Sequence, residues 1–142
     1  MTRFSRGAAR DRGAVAVEFA LILPVLLLIV VGTIEFGRVY SQVQIYNGSA
    51  REGARCAAVM AQSFATCRSL GDVQRTINDA SDPYADPPAA VITTGGVAGT
   101  GCTDATVGRT VTVSWNQPLP ISIPFWGNVT VTPTIKASFR CE

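Results

Sequence analysis

One acidic side chain, Glu18, lies inside a long apolar run, where its carboxylate could form an ion pair. The run covers residues 12–34 and reads R-G-A-V-A-V-E-F-A-L-I-L-P-V-L-L-L-I-V-V-G-T-I. A carboxylate in a membrane helix costs up to about 3 kcal/mol at the bilayer centre and less near the interface, so such residues usually mark function. Glu18 is therefore either a tolerated interfacial residue or a charge that pairs with a cation in a low-dielectric environment.

Four cysteines form the second candidate set: Cys56, Cys67, Cys102 and Cys141. None belongs to a C-x-x-C pair and the chain has no histidine to complete a zinc site, so we expect no metal. An even number of cysteines beyond a membrane segment is typical of two disulfides in an oxidising compartment, and free buried thiols are the alternative. Of the three connectivities we favour Cys56–Cys67 and Cys102–Cys141, because each joins neighbours in the architecture predicted below.

No catalytic constellation is present in the sequence. Histidine, the commonest general base, is absent, and no phosphate-binding loop or Ser-x-x-Lys motif occurs. We therefore expect no catalytic residues, no cofactor and no small-molecule substrate, which argues against an enzyme. The net charge of +2 is too small for a nucleic-acid surface, since four of the twelve basic residues lie within the first twelve positions.

The apolar run predicts one membrane-spanning helix. About 20 apolar residues rising 1.5 Å each match a hydrocarbon layer of about 30 Å. Four arginines lie within the first twelve residues, up to the start of the run, and fewer follow it closely, so the positive-inside rule places the N-terminus in the cytoplasm. We expect a basic segment at 1–13, a transmembrane helix at 14–35 and an extracytoplasmic domain at 36–142, in a single-pass protein of the cytoplasmic membrane.

Two other interpretations of the apolar run compete with this one. A secretory signal peptide has a shorter apolar core followed by a small-x-small cleavage site, and the residues after Ile34 offer no good site of that kind. A plain signal anchor explains the run but leaves Glu18 and Gly13 without a role.

The helix is expected to continue outside the membrane. Apolar or small residues recur at alternating spacings of three and four, which is the pattern of a helix that packs on another element. They are Phe36, Val39, Val43, Tyr46, Ala50, Gly53, Ala57, Met60 and Phe64. This predicts one helix from residue 14 to about 62, with an outer part assigned to 36–64. Two helices broken near Gly48 are the alternative.

Shorter elements follow. Residues 70–80 predict a second helix capped by Ser69 or Asp72, and three prolines between 82 and 88 end it. Residues 89–94 predict an edge strand before an open glycine-rich loop at 95–101.

Residues 109–115 and 129–139 alternate apolar residues with threonine and other polar residues, which predicts a half-buried antiparallel pair. The expected fold is α+β: a long N-terminal helix packed, through its small residues, on a small antiparallel sheet within 89–141.

The segment 116–127 is predicted to be a long loop between these strands. It carries five large apolar residues: Leu119, Ile121, Ile123, Phe125 and Trp126. Exposed apolar loops mark contact with a partner or a membrane, and tryptophan suits the membrane interface. A loop folded back over a small core is the equal alternative.

The spacing from Gly13 to Glu18 resembles a class III signal peptide of the type IV pilin superfamily. Gly13 is followed by four small or apolar residues, then by Glu18 and the aromatic Phe19, then by a long aliphatic run. The resemblance implies that a prepilin peptidase cuts between Gly13 and Ala14 on the cytoplasmic side. It also implies that Glu18, the fifth residue of the mature chain, sets the register between neighbouring subunits.

A narrower resemblance covers about residues 12–60. The segment R-E-G-A-R-C-A-A at 51–58, after E-F-G-R-V-Y at 35–40, resembles the TadE-like family of minor pilins or pseudopilins. Phe19 departs from a common family form that has tyrosine there. The resemblance implies a pilin-like fold, a role in Tad/Flp pilus assembly or anchoring, and prepilin peptidase, other pilins and the membrane as partners. The alternative is an unprocessed, membrane-anchored extracytoplasmic binding domain.

Overall fold

The fold is built around a single long helix. The computed structural model describes residues 7–62, 67–123 and 127–142, with side chains from Gly13 onward. Helix α1 (Gly7–Ala58) packs against helix α2 (Leu70–Ser81) and against a small antiparallel sheet. The predicted α+β class, with a long N-terminal helix on a small sheet, is confirmed.

Helix α1 runs without interruption through Pro24 and Gly48. Its 52 residues correspond to a length of about 78 Å. The alternative with a break near Gly48 is therefore wrong. The helix ends at Ala58, earlier than the predicted residue 64, and a 3₁₀ turn (Met60–Gln62) follows it. Phe64, the last residue of the predicted stripe, lies outside the described residues.

The outer half of α1 is buried on the face that carries small residues. Ala50, Ala54 and Ala57 are fully buried, and Tyr46 is nearly so. Val39 is the first residue of the stripe that packs against the core. Phe36, which the spacing assigns to the same stripe, is 74% exposed. That assignment is wrong because the residues of α1 that pack against the core begin at Val39, one turn further along the helix.

Helix α2 begins with a complete capping box. Ser69 is the N-cap: its hydroxyl accepts from the backbone N–H of Asp72, and the Asp72 carboxylate accepts from the Ser69 backbone N–H. The hydrogen bond from the Ser69 hydroxyl, followed by the one from the Arg68 backbone, lowers the pKa of Asp72. Val73 and Ile77 are fully buried on the face of α2 that meets α1. The cap and the buried face together set where α2 starts and how it is rotated.

Six strands form two sheets. They are β1 (Val91–Thr94), β2 (Val97–Ala98), β3 (Thr110–Asn116), β4 (Leu119–Ile123), β5 (Gly127–Val131) and β6 (Thr134–Arg140). The larger sheet has the order β2-β1-β3-β6 and the smaller is the pair β4-β5, all antiparallel. In the central pair, Val113 lies opposite Ala137 and Trp115 lies opposite Ile135. The buried side chains of this pair face α1 and form the core with it.

Two strand predictions need correction. The sequence predicts that β1 is an edge strand, but β2 pairs with its outer side. The intervening Gly95 and Gly96 have positive φ angles of 57° and 91°, which glycine adopts readily and which a two-residue hairpin turn requires. The glycine-rich segment is therefore partly a hairpin and not an open loop.

The predicted strand at 129–139 is two strands in different sheets. Pro133 lies between them, and proline cannot donate to a sheet ladder. Strand β5 turns away to pair with β4, so 116–127 contains a strand where the sequence predicts a loop.

Two disulfides connect the helices and the sheet. Cys56 at the end of α1 pairs with Cys67 shortly before α2, with a Cα–Cα distance of 5.3 Å. Cys102 pairs with Cys141 after β6, with a Cα–Cα distance of 5.6 Å. This is the pairing that the order of elements along the chain favours. Both bonds lie at the end of the fold where α1 stops.

Tyr46 on α1 contacts the proline-rich segment 82–88 that follows α2. Its hydroxyl donates to the carbonyl of Ala85 over 3.0 Å, and its ring lies 6.3 Å from the ring of Tyr84. Burial, followed by the neighbouring Tyr84 and Asp86, raises the pKa of Tyr46. A raised pKa means that the folded state holds the proton more tightly than the unfolded state.

Replacing Tyr46 with phenylalanine is expected to lower the free energy of unfolding by about 1 kcal/mol, the usual value of one hydrogen bond. The stability difference between wild type and variant should be full below pH about 10 and should shrink as pH rises above it, because the unfolded tyrosine ionises first. Urea unfolding of the full-length protein in detergent micelles measures both effects. Tyr40→Phe is the matched control, because Tyr40 is 57% exposed and should change stability by less than about 0.5 kcal/mol. Equal losses in the two variants would contradict the assignment.

Candidate functional site

The predicted processing and register residues lie together near the start of α1. Gly13, Ala14, Glu18 and Phe19 all have helical backbone and exposed side chains. Ala14 and Glu18 are four residues apart, so they occupy the same face one turn from each other. The structure thus places the proposed cut and the proposed register carboxylate side by side, which residue spacing on a helix already required.

The apolar span that follows is exposed on all sides. Side chains from Val15 to Val31 keep between 36% and 72% of their surface, including Leu21 at 72%. Among the residues that the structure describes, one helix is long and apolar enough to cross a membrane, namely α1 over Gly13–Ala58. Because such a surface is unfavourable in water, the span needs lipid or other apolar helices around it.

Glu18 finds no ion pair within the described part of the chain. The two ion pairs there are Arg38 with Glu35 at 2.8 Å and Arg75 with Asp72 at 3.8 Å, both in the outer domain or next to it. In an apolar environment the Glu18 carboxylate would need a cation that lies outside the described residues or belongs to another molecule.

Gly53 lets α2 approach α1 closely. A Cβ atom at this position would lie 2.8 Å from Cδ1 of Ile77 and 3.7 Å from Cγ1 of Val73. Ile77 is fully buried, so moving its side chain would disturb the core. The glycine of the R-E-G-A-R-C-A-A segment is thus required by a helix–helix contact. The charged side chains beside it, Arg51 and Glu52, are exposed.

Arg38 joins the end of the apolar span to the smaller sheet. Its guanidinium donates to the Glu35 carboxylate at 2.8 Å and to the carbonyl oxygen of Pro120 at 3.2 Å. In the sequence, Arg38 contributes only to the charge pattern around the span. No local pattern reveals the second contact, because Pro120 lies 82 residues away in the sequence.

The predicted contact residues of 116–127 fall into three groups. Leu119 is 2% exposed and belongs to the core, so its assignment to an outer contact surface is wrong; its strand brings it back over the core. Ile121 is partly buried and Ile123 is 39% exposed. Phe125 and Trp126 lie outside the described residues.

A shallow groove runs over the outer end of α1. It is bordered by α2 and by the end of β6, and its lining carries both signs of charge, including Glu52, Arg55, Asp79 and Arg140. The mixture favours neither an anionic nor a cationic ligand.

Part of helix α1 matches a known protein family. The family model described as TadE-like protein matches residues 13–55, which include the Gly13–Glu18 spacing and end within R-E-G-A-R-C-A-A. No curated protein and no solved structure matches the chain. The strands lie outside the matched segment. Residues 13–55 are therefore similar to the TadE-like family, as the resemblance predicted.

Proposed function

We propose that this protein is a pseudopilin or minor pilin that a prepilin peptidase processes and that acts in Tad/Flp pilus assembly or anchoring. The observation that carries the proposal is the family match over residues 13–55, which includes an apolar span whose side chains are exposed on all sides of the helix. A helix that displays apolar side chains all round suits the interior of a bundle or a membrane. Lateral packing of α1 against other pilin helices is thus the proposed mode of action.

Processing creates the partner that Glu18 needs. Hydrolysis of the peptide bond between Gly13 and Ala14 leaves an amine at Ala14, one helical turn from Glu18. The carboxylate pairs with this amine or with the same amine of a neighbouring subunit, and in a low-dielectric environment such a pair is strongly orientation-dependent. Only one register brings every carboxylate next to an amine, so Glu18 aligns the helices.

The proposed topology follows from the charge pattern. The basic segment stays in the cytoplasm, where the peptidase cuts, and the domain built on the outer half of α1 lies on the other side of the cytoplasmic membrane. Two disulfides at the far end of that domain suit an oxidising compartment.

The mature N-terminus tests the proposal. Mass spectrometry of protein purified from cells with an active prepilin peptidase should show a chain that begins at Ala14. Gly13→Val is expected to block cleavage, whereas Gly32→Val should not, because Gly32 is a distant glycine of the same exposed helix surface. A wild-type chain that still begins at Met1 would contradict processing and would favour the unprocessed binding domain.

A further inference from the structure

The β4-β5 hairpin has one apolar face and one polar face. Paired residues of antiparallel strands share a face, and neighbours along a strand alternate. One face carries the pairs Leu119–Val131 and Ile121–Val129 together with Ile123. The opposite face carries Pro120, Ser122, Asn128 and Thr130.

The apolar face becomes less covered toward the turn and along β5. Leu119 is buried in the core, whereas Ile123, Val129 and Val131 are 39%, 47% and 38% exposed. A two-stranded hairpin is marginally stable by itself. Within the residues that the structure describes, part of the apolar face of this hairpin is therefore left uncovered.

The hairpin lies at the membrane end of the domain. At the other end, the Glu142 backbone N–H donates to Ala58 and the Cys141 N–H donates to Arg109, which precedes β3. At the hairpin, Pro120 accepts from Arg38. These contacts are about 20 residues apart on α1, or about 30 Å. The eleven residues from Arg109 to Pro120 cover about 36 Å when extended. The chain thus runs along α1 toward the apolar span, at a moderate tilt to the helix axis.

If β4 continues in the same direction beyond Pro120, Ile123 reaches the level of the apolar span. The three residues after Pro120 add about 10 Å, which α1 covers in about seven residues. By this estimate Ile123 is level with the last turn of the exposed apolar span. On α1 itself, Phe36 and Tyr40 are exposed, and their rings are stacked with centroids 6.3 Å apart. Aromatic side chains of this kind are enriched at membrane interfaces.

We propose that the β4-β5 hairpin rests its apolar face in the headgroup layer on the outer side of the membrane that α1 crosses. The occupant of this face is the lipid surface, because the face is continuous with the apolar span of the same chain. Open strand edges are excluded from hydrocarbon, since their backbone groups would be unpaired, so the hairpin stops in the interface. Arg38 fastens the hairpin to α1 at this level. The hairpin and Arg38 thereby set the height of the outer domain above the bilayer.

The inference needs α1 to cross the membrane and does not depend on a role in a pilus. A site-specific photocrosslinker tests it in the full-length protein reconstituted into phospholipid vesicles. Benzoyl-phenylalanine is placed at Ile123, at Val129 or, as the matched control, at Val97. Val97 is 58% exposed and pairs with Thr94 at the opposite end of the fold.

Lipid adducts, quantified by mass spectrometry, should be several-fold more abundant at positions 123 and 129 than at position 97. Two positions are used so that the result does not depend on one substitution. Flotation with the vesicles and intact disulfides on a non-reducing gel show that each variant is inserted and folded. Lipid adducts no more abundant at 123 and 129 than at 97 would overturn the inference. Adducts at 123 and 129 that join two protein chains instead of lipid would overturn it equally, in favour of a neighbouring helix as the occupant.

Discussion

Replacing Glu18 with alanine is expected to leave membrane insertion intact and to abolish pilus assembly. Insertion should survive because alanine removes a carboxylate whose burial in a bilayer costs up to about 3 kcal/mol. Assembly should fail because each helix loses the pair that selects its register. If that pair contributes about 3 kcal/mol to each contact, its loss weakens association with a neighbour by about a hundredfold.

The measurement compares two fractions of the same cells. Immunoblots of the membrane fraction report insertion, and electron microscopy with immunoblots of sheared surface material reports piliation. Glu18→Gln keeps the shape of the side chain and should fail as alanine does, because charge is the required property. Glu52→Ala is the control, since Glu52 is an exposed acid in the outer domain. Normal piliation of the Glu18 variants would refute the register role.

Replacing Gly53 with valine is expected to lower the free energy of unfolding by about 3 kcal/mol. That figure is the upper end of the usual cost of overpacking. A side chain at Gly53 would meet Ile77, which is fully buried between α1 and α2. A loss of this size is a large fraction of the stability of a typical domain. The readout is urea unfolding of the full-length protein in detergent micelles, followed by tryptophan fluorescence.

Gly48 supplies the matched control for Gly53. It lies in the same helix and is exposed, and a Cβ atom added there would meet no described residue within 4 Å. Gly48→Val should therefore change stability by less than about 0.5 kcal/mol. A second substitution, Ile77→Ala, should make room for the new side chain, so the double variant should lose less than the sum of the single variants. Strict additivity, or equal losses at positions 48 and 53, would show that the close contact does not limit packing.

The coupling of α1 to the outer domain has a functional consequence. The close contact at Gly53 and the Cys56–Cys67 disulfide attach α2 to the C-terminal end of α1. The hydrogen bond from Arg38 to Pro120 attaches the β4-β5 hairpin near the apolar span. The domain is thus attached at both ends of the outer half of the helix. If Glu18 sets the register of the membrane helices, as proposed, that register is carried to the outer domains without an intervening flexible joint.

Local features of this protein could be determined from the sequence alone. The apolar span, the continuous helix and a cap at Ser69 or Asp72 depend on residues within a few turns of each other, and such local patterns can be recognised without knowledge of the fold. The alternation in β3 and β6 predicted the central pair for the same reason. The favoured cysteine pairing followed from that order of elements. The candidate site at Gly13, Ala14 and Glu18 is local as well, because residue spacing on a helix defines it.

Only the tertiary structure decided how distant segments meet. The apolar alternation of β5 and β6 continues across Pro133, so hydrophobic period alone did not show that they join different sheets. Burial of Leu119 and exposure of Phe36 depend on how far the sheet reaches along α1. The contact of Arg38 with Pro120 spans 82 residues, and the contact of Gly53 with Ile77 joins two helices. Such pairings arise from packing between elements, and a local sequence pattern does not encode them.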